Sequence, residues 1–338
     1  MPDTGSSAPP SPERFFNAVN AFQLTEAMKA ALDLGIFTAV AQGNAVPSTI
    51  ASRVSANERG VRILCDYLTV QGFLSKTDGS YSLPPDSALF LDSNSPAYIG
   101  SVVHFLANDR QRENHRQIAD AVRRGGCADT QTPLEPNDPV WVVFARQMMP
   151  MMRMPAQMIA TALAKEAPAR KVLDIAAGHG IFGITVAQHN PGAEIYAADW
   201  PNVLEVAKEN AEQAGVADRH HLIPGSAFET DFGTGYDLAL ITNFLHHFDR
   251  DTCISFLRRV HMALEPGGRA AILEFVPNAD RVTPAMPASF SLIMLASTPS
   301  GDTYTFSELS SMAQAAGFSR VIPSDAPMGA EQLVIAYK

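Results

Sequence analysis

The stretch Lys171-Val-Leu-Asp174-Ile-Ala-Ala-Gly178-His-Gly180-Ile-Phe-Gly183 decides the fold. Its apolar opening reads as a buried strand, the glycines as a tight turn, and the residues beyond as the start of a helix. That arrangement holds a nucleotide-like cofactor. Glycine lets the backbone come close to a ligand, and a helix N-terminus offers N–H groups with no partner inside the helix. The spacing Gly178-x-Gly180-x-x-Gly183 matches the dinucleotide fingerprint, which alone discriminates little. Asp174 points elsewhere. A carboxylate four residues before the first glycine repels a pyrophosphate and suits a cationic amino-acid moiety, such as the ammonium of S-adenosylmethionine. A second acid, Asp199, closes the run Ala193-Glu-Ile-Tyr-Ala-Ala-Asp199, where folds of this type hydrogen-bond a ribose. Together the two acids favour S-adenosylmethionine over a dinucleotide. A nicotinamide-dependent dehydrogenase stands as the alternative, and competition between NAD and S-adenosylhomocysteine separates the two.

From Arg170 onward, strand-like and helix-like runs alternate. The pattern predicts strands at 171–175, 194–198, 220–224, 236–242, 269–275, 319–323 and 332–337, with helices in most of the gaps. This alternation implies an α/β, Rossmann-like, seven-stranded and mostly parallel sheet covered by helices on both faces. Ligands in such sheets sit at the carboxyl ends of the strands. The residues to watch are therefore Asp174, Asp199, Gly225-Ser226, Asn243 to His247, and Glu274.

Upstream the pattern is helical. Phe15, Val19, Phe22, Leu24, Met28, Ala31 and Leu32 recur at helical spacing over 14–40, and two further helical runs lie near 47–55 and 57–72. Gly72-Phe-Leu-Ser-Lys-Thr-Asp-Gly-Ser-Tyr-Ser-Leu then reads as strand, turn and strand. Helix, helix and β-wing make a mainly helical winged-helix module. Its second helix carries Arg59 and Arg62 but also Glu58 and Asp66, so it lacks the basic face that DNA binding needs. A structural or dimerisation role is the better reading than a winged-helix regulator. Residues 95–165 are mostly helical, interrupted by a loop over 129–139. The expected organisation is a disordered tail over 1–13, the winged-helix domain over 14–100, a helical linker and acceptor-binding region over 101–165, and a catalytic domain over 166–338.

The chain has 338 residues, 46% of them hydrophobic and 18% charged, enough for a sizeable core and two domains. A net charge of −10 disfavours nucleic acid and anionic membranes as partners. Cys65, Cys127 and Cys253 fit neither a metal site nor a disulfide framework. They read as reduced thiols of a cytoplasmic protein. The N-terminus has no basic region followed by an apolar run, and no stretch approaches the roughly 20 apolar residues of a membrane span.

Several short motifs, in order, carry a family resemblance. They are Phe144-Ala-Arg-Gln-Met148, Asp199-Trp-Pro201-Asn-Val203, Leu245-His246-His247-Phe248-Asp249, and Leu264-Glu-Pro266-Gly267-Gly268 followed by Leu273-Glu274. With the glycine turn, they resemble the class I S-adenosylmethionine-dependent O-methyltransferases of the caffeic-acid, hydroxyindole and polyketide tailoring type. The resemblance covers nearly the whole chain. The N-terminal module looks like that family's dimerisation domain, which implies a homodimer.

O-methylation requires an acceptor hydroxyl to lose its proton while held in line with the sulfonium methyl. A phenol of pKa about 10 needs a base at neutral pH. His246 follows the fourth sheet strand, faces the cleft, titrates in the right range and matches the family's catalytic histidine. Glu274 matches the acid that orients it, and His247 stands next to it where the family usually has Asp. The resemblance also implies a cofactor set of Asp174, Gly178, Gly180, Asp199, Trp200, Ser226, Ala227, Phe228 and Asn243. S-adenosylmethionine would be the donor and S-adenosylhomocysteine the product. Six methionines, Met148, Met149, Met151, Met152, Met154 and Met158, crowd one stretch and suit contact with a planar aromatic acceptor. Acceptor contacts are expected from Phe144, Met148, Met152, Phe290, Met294 and Thr303.

The chain departs from the family pattern at four places. Ala176 and Ala177 replace two glycines of the turn, and Ser226 replaces an acid. His247 stands for Asp, and Thr303, with Asp302 beside it, occupies the place of a second catalytic acid. A relative that keeps the cofactor pocket but performs hydroxylation, decarboxylation or a pericyclic reaction is therefore the second hypothesis.

Overall fold

The computed structural model describes residues 10–128, 135, 137–326 and 329–338. Most of the expected tail (residues 1–9) and most of the expected loop over 129–139 (129–134 and 136) lie outside the described residues. The chain divides into two compact units, Met1–Ala107 and Asn108–Lys338.

In the first unit, α1 (Glu13–Leu34) and α2 (Ile36–Ala41) replace the single helical run expected over 14–40. Gly35 separates them. Its φ of 72° is left-handed, and its N–H reaches back to carbonyls of the last turn of α1, which is how a glycine commonly ends a helix. Next come α3 (Pro47–Arg53) and α4 (Glu58–Val70), the latter capped by Asn57, whose side chain accepts the Gly60 N–H at 3.2 Å. β1 (Ser75–Thr77) and β2 (Ser80–Ser82) form the antiparallel wing, followed by α5 (Pro85–Phe90) and α6 (Val103–Leu106). Ile36, Phe37, Ile50, Val61, Leu68 and Leu74 close the core of this unit. Arg62 of the helix and Lys76 of the wing are engaged internally, since Asp66 accepts from both. The start of α1 presents an apolar face outside that core: Phe15, Phe16, Val19 and Phe22 are each more than half exposed.

The second unit begins with α7 (Asp109–Arg116), α8 (Ile118–Arg124), α9 (Pro139–Gln147) and α10 (Met149–Glu166). Its sheet comprises β3 (Lys171–Ile175), β4 (Glu194–Asp199), β5 (His220–Pro224), β6 (Tyr236–Thr242), β7 (Leu264–Glu274), β8 (Arg320–Pro323) and β9 (Gln332–Tyr337). The seven strands lie in the order β5-β4-β3-β6-β7-β9-β8. β3 to β7 are parallel, and β9 runs antiparallel to both β7 and β8. The helices α11 (Ile181–His189), α12 (Pro201–Gln213) and α13 (Arg250–Ala263) alternate with the strands, and α14 (Ala285–Ser297) and α15 (Phe306–Ala316) follow β7. The α/β sheet read from the sequence is the one observed.

β7 starts at Leu264 rather than at 269. Leu264 pairs with Tyr236, and the register then shifts, so that Arg269 pairs with Leu238. Pro266-Gly267-Gly268 forms the irregularity, with Gly267 at a φ of 82°. The chain builds β3, β4 and β5 outward to one edge and returns to place β6 on the other side of β3. The carboxyl ends of β3 and β6 therefore flank the switch point where open α/β sheets bind ligands.

Candidate active site

At the carboxyl end of β3 the Asp174 side chain is fully buried. Its Oδ2 accepts the Gly183 N–H of α11 at 3.0 Å, while its Oδ1 has no hydrogen-bond partner among the described residues. Burial pushes this carboxyl up to about 8, against the pull of the Gly183 N–H and with help from the nearby Asp199 charge. Gly183 is required by contact. A Cβ there would stand 2.7 Å from both Asp174 Oδ2 and Ile195 Cγ2. The turn between strand and helix is left-handed at Gly178 and Gly180, with φ of 58° and 71°. Asp199, ending β4, clamps the turn by accepting the Gly178 N–H at 2.8 Å, and its other oxygen takes the Trp200 N–H at 2.7 Å. Burial nonetheless pushes Asp199 up to about 6.

Other residues singled out in the sequence, the expected acceptor contact Phe144 and the expected cofactor residues after β5, are placed as follows. Phe144 of α9 lies over the glycine turn, its ring 3.4 Å from where a Gly178 Cβ would be and stacked on His179 at 6.0 Å. Ser226 follows β5 and accepts the Phe228 N–H at 3.2 Å. Ala227 and Phe228 pack on the main core, Phe228 beside Phe244, Phe248 and Phe256. A glycine turn between two buried carboxylates, both raised and one with an unmatched oxygen, is completed by a ligand that carries a cation and hydroxyl donors. S-adenosylmethionine, with an ammonium and a ribose, fits those residues.

The second half of the site follows β6. Asn243 takes a left-handed φ of 55° and ties the turn to β7 by donating its N–H to the Leu273 carbonyl at 2.9 Å. A 3₁₀ turn, Leu245–His247, then presents His246. His246 and Glu274 are 4% and 3% exposed, so their contact is a buried pair and not a surface salt bridge. Glu274 Oε2 meets His246 Nδ1 at 2.5 Å, and Oε1 accepts the N–H groups of Phe244 and Leu245 at 3.0 and 2.7 Å. An ionised carboxylate only accepts hydrogen bonds, so Nδ1 carries the proton and Nε2 holds the lone pair. Nε2 makes no hydrogen bond among the described residues.

The rings around His246 are aromatic. Phe290 of α14 meets it edge-on at 5.0 Å, and Phe275 stacks on Phe290 at 4.0 Å. Met294 is buried one turn further along α14. His247 lies 4.3 Å from His246, centre to centre, and donates Nδ1–H to the Phe244 carbonyl at 3.2 Å. Burial, then the neighbouring His246, hold its pKa well below the usual histidine range, so it is neutral.

The position that the resemblance assigns to a second acid carries none. Thr303 is fully buried and its hydroxyl bonds Ser291 Oγ at 2.5 Å, while Asp302 pairs with Arg281 at 3.3 Å. Gly301 is required by contact, because a Cβ would collide with the His246 carbonyl oxygen. The methionine stretch divides. Met148 and Met152 are buried, whereas Met151 and Met154 are exposed. Met152 Sδ lies 3.9 Å from Asn243 Nδ2. Sequence reasoning missed Glu331, which precedes β9 with no motif around it. The register Glu274 opposite Gln332 brings it to this end of the sheet.

Among the described residues, no group of His, Cys, Asp and Glu could hold a metal, and no helix is long and apolar enough to cross a membrane. The three cysteines are free and buried.

The fold and the acid-lined glycine turn define an S-adenosylmethionine-dependent methyltransferase. The family model for the O-methyltransferase domain matches residues 134–319, and that for the O-methyltransferase dimerisation domain matches residues 16–93. The chain belongs to the O-methyltransferase family. A crystal structure of a candidate O-methyltransferase from Nostoc punctiforme is similar at 50% identity and a TM-score of 0.95, covering 97% of this chain and 100% of that one. An acetylserotonin O-methyltransferase of Mus musculus is 27% identical, covering 94% of this chain and 87% of the relative. A 3-hydroxy-5-methyl-1-naphthoate 3-O-methyltransferase of Streptomyces sahachiroi is 26% identical over 94% of this chain and 93% of its own length.

Proposed function

We propose that this chain methylates a hydroxyl of a small aromatic or polyketide-like acceptor, with His246 as the general base. The observation that carries this reading is the buried His246–Glu274 pair at the carboxyl ends of β6 and β7, on the same side of the sheet as the glycine turn after β3. Asp174, Gly178, Gly180 and Asp199 would hold S-adenosylmethionine, with Trp200, Ser226, Ala227, Phe228 and Asn243 bordering it. The bound cofactor supplies an electrophilic methyl group on a positively charged sulfur. Everything else falls to the protein. His246 Nε2 takes the proton of the acceptor hydroxyl. Glu274 fixes the tautomer that makes Nε2 the acceptor and stabilises the imidazolium that forms. Its two backbone N–H partners keep Glu274 in place without solvent, and neutral His247 adds no competing positive charge.

Phe275, Phe290, Met148 and Met152 offer apolar surface for a planar acceptor, in keeping with the acetylserotonin and the 3-hydroxy-5-methyl-1-naphthoate that the relatives are named for. The exposed apolar face of α1 falls within and beside the segment matched by the dimerisation model, which supports a homodimer covering that face. The testing experiment is incubation with methyl-labelled S-adenosylmethionine and a panel of phenols, catechols and hydroxyquinones. Label in an organic product is the expected result. The second reading, a relative that no longer methylates, draws on Thr303, whose hydroxyl faces Ser291 where an acid was expected. It predicts an altered organic product with no consumption of the cofactor.

A further inference from the structure

Glu331 has no part in the chemistry above, yet its position is hard to explain as packing. Its Oε1 is shut off from solvent and has no hydrogen-bond partner among the described residues, and the same is true of Asn243 Oδ1. The two side chains are neighbours. Burial pushes the Glu331 carboxyl up to about 7, with the Asn243 side chain drawing it down, the Glu274 charge driving it further up and His246 pulling it back. Glu331 thus stands within electrostatic reach of both members of the buried pair. A buried oxygen without a donor is costly, and two belong to these neighbouring side chains. Asn243 Nδ2 meets the Met152 sulfur, a weak acceptor, at 3.9 Å, and Oδ1 stays unmatched among the described residues.

We propose that Glu331 and Asn243 form a polar subsite for a hydrogen-bond donor, a hydroxyl or an amine, of a bound molecule. This donor is distinct from the hydroxyl that His246 deprotonates. The inference rests on the methyltransferase reading for the identity of that molecule. The donor belongs either to the acceptor, as a second hydroxyl or N–H on its ring, or to the ammonium of the methyl donor. Both present N–H or O–H groups to two oxygens that have none. Glu331 also puts a second carboxylate near His246 from the segment just before β9, whereas Asp302 is engaged by Arg281.

The test uses full-length Glu331→Gln and Glu331→Leu. Calorimetry reads the affinity for S-adenosylhomocysteine, for S-adenosylmethionine and for a catechol added to the S-adenosylhomocysteine complex, and thermal melting reports the fold. The expected result is a loss of roughly tenfold or more in affinity for one of these ligands in both variants. A loss shared by both cofactor forms assigns the ammonium, which S-adenosylmethionine and S-adenosylhomocysteine both carry, and a loss confined to the catechol assigns the acceptor. A loss confined to S-adenosylmethionine follows the sulfonium, which donates no hydrogen bond, and overturns the proposal. The Leu variant should melt at or above the temperature of the wild type, since the unmatched oxygen is gone. Unchanged affinity for all three ligands in a folded variant overturns the proposal. Each readout is a binding constant. Failure of label transfer from a wild type that binds S-adenosylhomocysteine therefore counts against the proposed function alone, while the role of Glu331 stands or falls on the affinities of its own variants.

Discussion

The turns after β3 and β6 both carry buried carboxylates, and they treat them in opposite ways. Glu274 has both oxygens matched inside the protein, one by His246 and one by two backbone N–H groups. Asp174 has one oxygen matched and one bare, and Asp199 uses its bonds to hold the glycine turn while burial still raises its pKa. A group satisfied internally is built in advance and needs no ligand to take its working geometry. A group left unmatched is a receptor, and the structure bears a cost until a donor arrives. The β6 turn thus has the character of chemistry and the β3 turn that of binding, although both combine the same residue types at strand ends.

The sharpest way to break this division is His246→Ala. If the β6 turn serves chemistry alone, turnover should fall by about 10²- to 10⁴-fold, the usual worth of a general base. Affinity for S-adenosylhomocysteine should stay within about twofold of wild type. A comparable loss in both quantities would merge the two regions into one site. Steady-state label transfer and calorimetry on the same preparation give the answer.

Glu274→Gln sharpens the point with less disturbance to the fold. The amide oxygen can still accept from Phe244 and Leu245, so the turn keeps its anchor. The NH₂ end, however, presents a donor to Nδ1. The imidazole must then turn its lone pair there and carry its proton on Nε2, where it cannot act as a base. A drop in kcat of about 10²-fold is expected, with a stability loss of only about 1–2 kcal/mol. Full activity in this variant would remove Glu274 from the tautomer argument and leave it a structural anchor.

The binding side is tested by pH. In the free protein, Asp199 holds a proton up to about 6 and Asp174 up to about 8. A ligand presenting hydroxyls and an ammonium needs both ionised. Affinity for S-adenosylhomocysteine should therefore rise with pH between 5 and 7, by about tenfold through Asp199 and about 10²-fold more through Asp174, and level off above about 8. Stability of the ligand-free protein runs the other way. The folded state binds more protons than the unfolded chain between the ordinary carboxylate pKa near 4 and the raised values. Its stability should accordingly fall as pH rises through that window, and saturating ligand should flatten the slope. An affinity independent of pH from 5 to 8 would mean that neither carboxylate meets the ligand.

The two regions also differ in how far the sequence discloses them. The sheet was readable because each central strand is a short apolar run with turn residues between, as in Val172 to Ile175 and Leu238 to Ile241. Strand ends in a parallel sheet fall on one side, so His246 and Glu274 were expected at the same end of the sheet, while their pairing came from the family resemblance. Four features escaped. Gly35 breaks the first helix within a run whose apolar spacing continues through it. The early start of β7 depends on a register shift across Pro266-Gly267-Gly268, a property of pairing with β6 that no local pattern carries. Glu331 joins the site only because β9 is antiparallel to β7, which places the beginning of one strand beside the end of the other. Helical spacing on α1 foretold a helix, but it could not say that Phe15, Phe16, Val19 and Phe22 lie outside their own unit's core.

The smallest effect is expected at Ala176, where the β3 turn pays for its shape with no ligand involved. Its φ of 52° lies in the region that glycine enters freely and that a Cβ disfavours, and the family pattern places glycine there. The left-handed conformation costs a side chain of this kind about 1 kcal/mol. Glycine in turn loses roughly 0.5–1 kcal/mol through the greater freedom of its unfolded chain. The two nearly cancel, so Ala176→Gly should move stability by less than about 1 kcal/mol in either direction. Affinity is the more telling quantity. If the Cβ narrows the approach of the cofactor to the turn, S-adenosylhomocysteine should bind a few-fold more tightly to the glycine variant while His246-dependent turnover stays put. Equal affinity in the two proteins would mean that the Ala176 methyl points away from the ligand. The turn's selectivity would then rest on Gly178, Gly180 and the two acids alone.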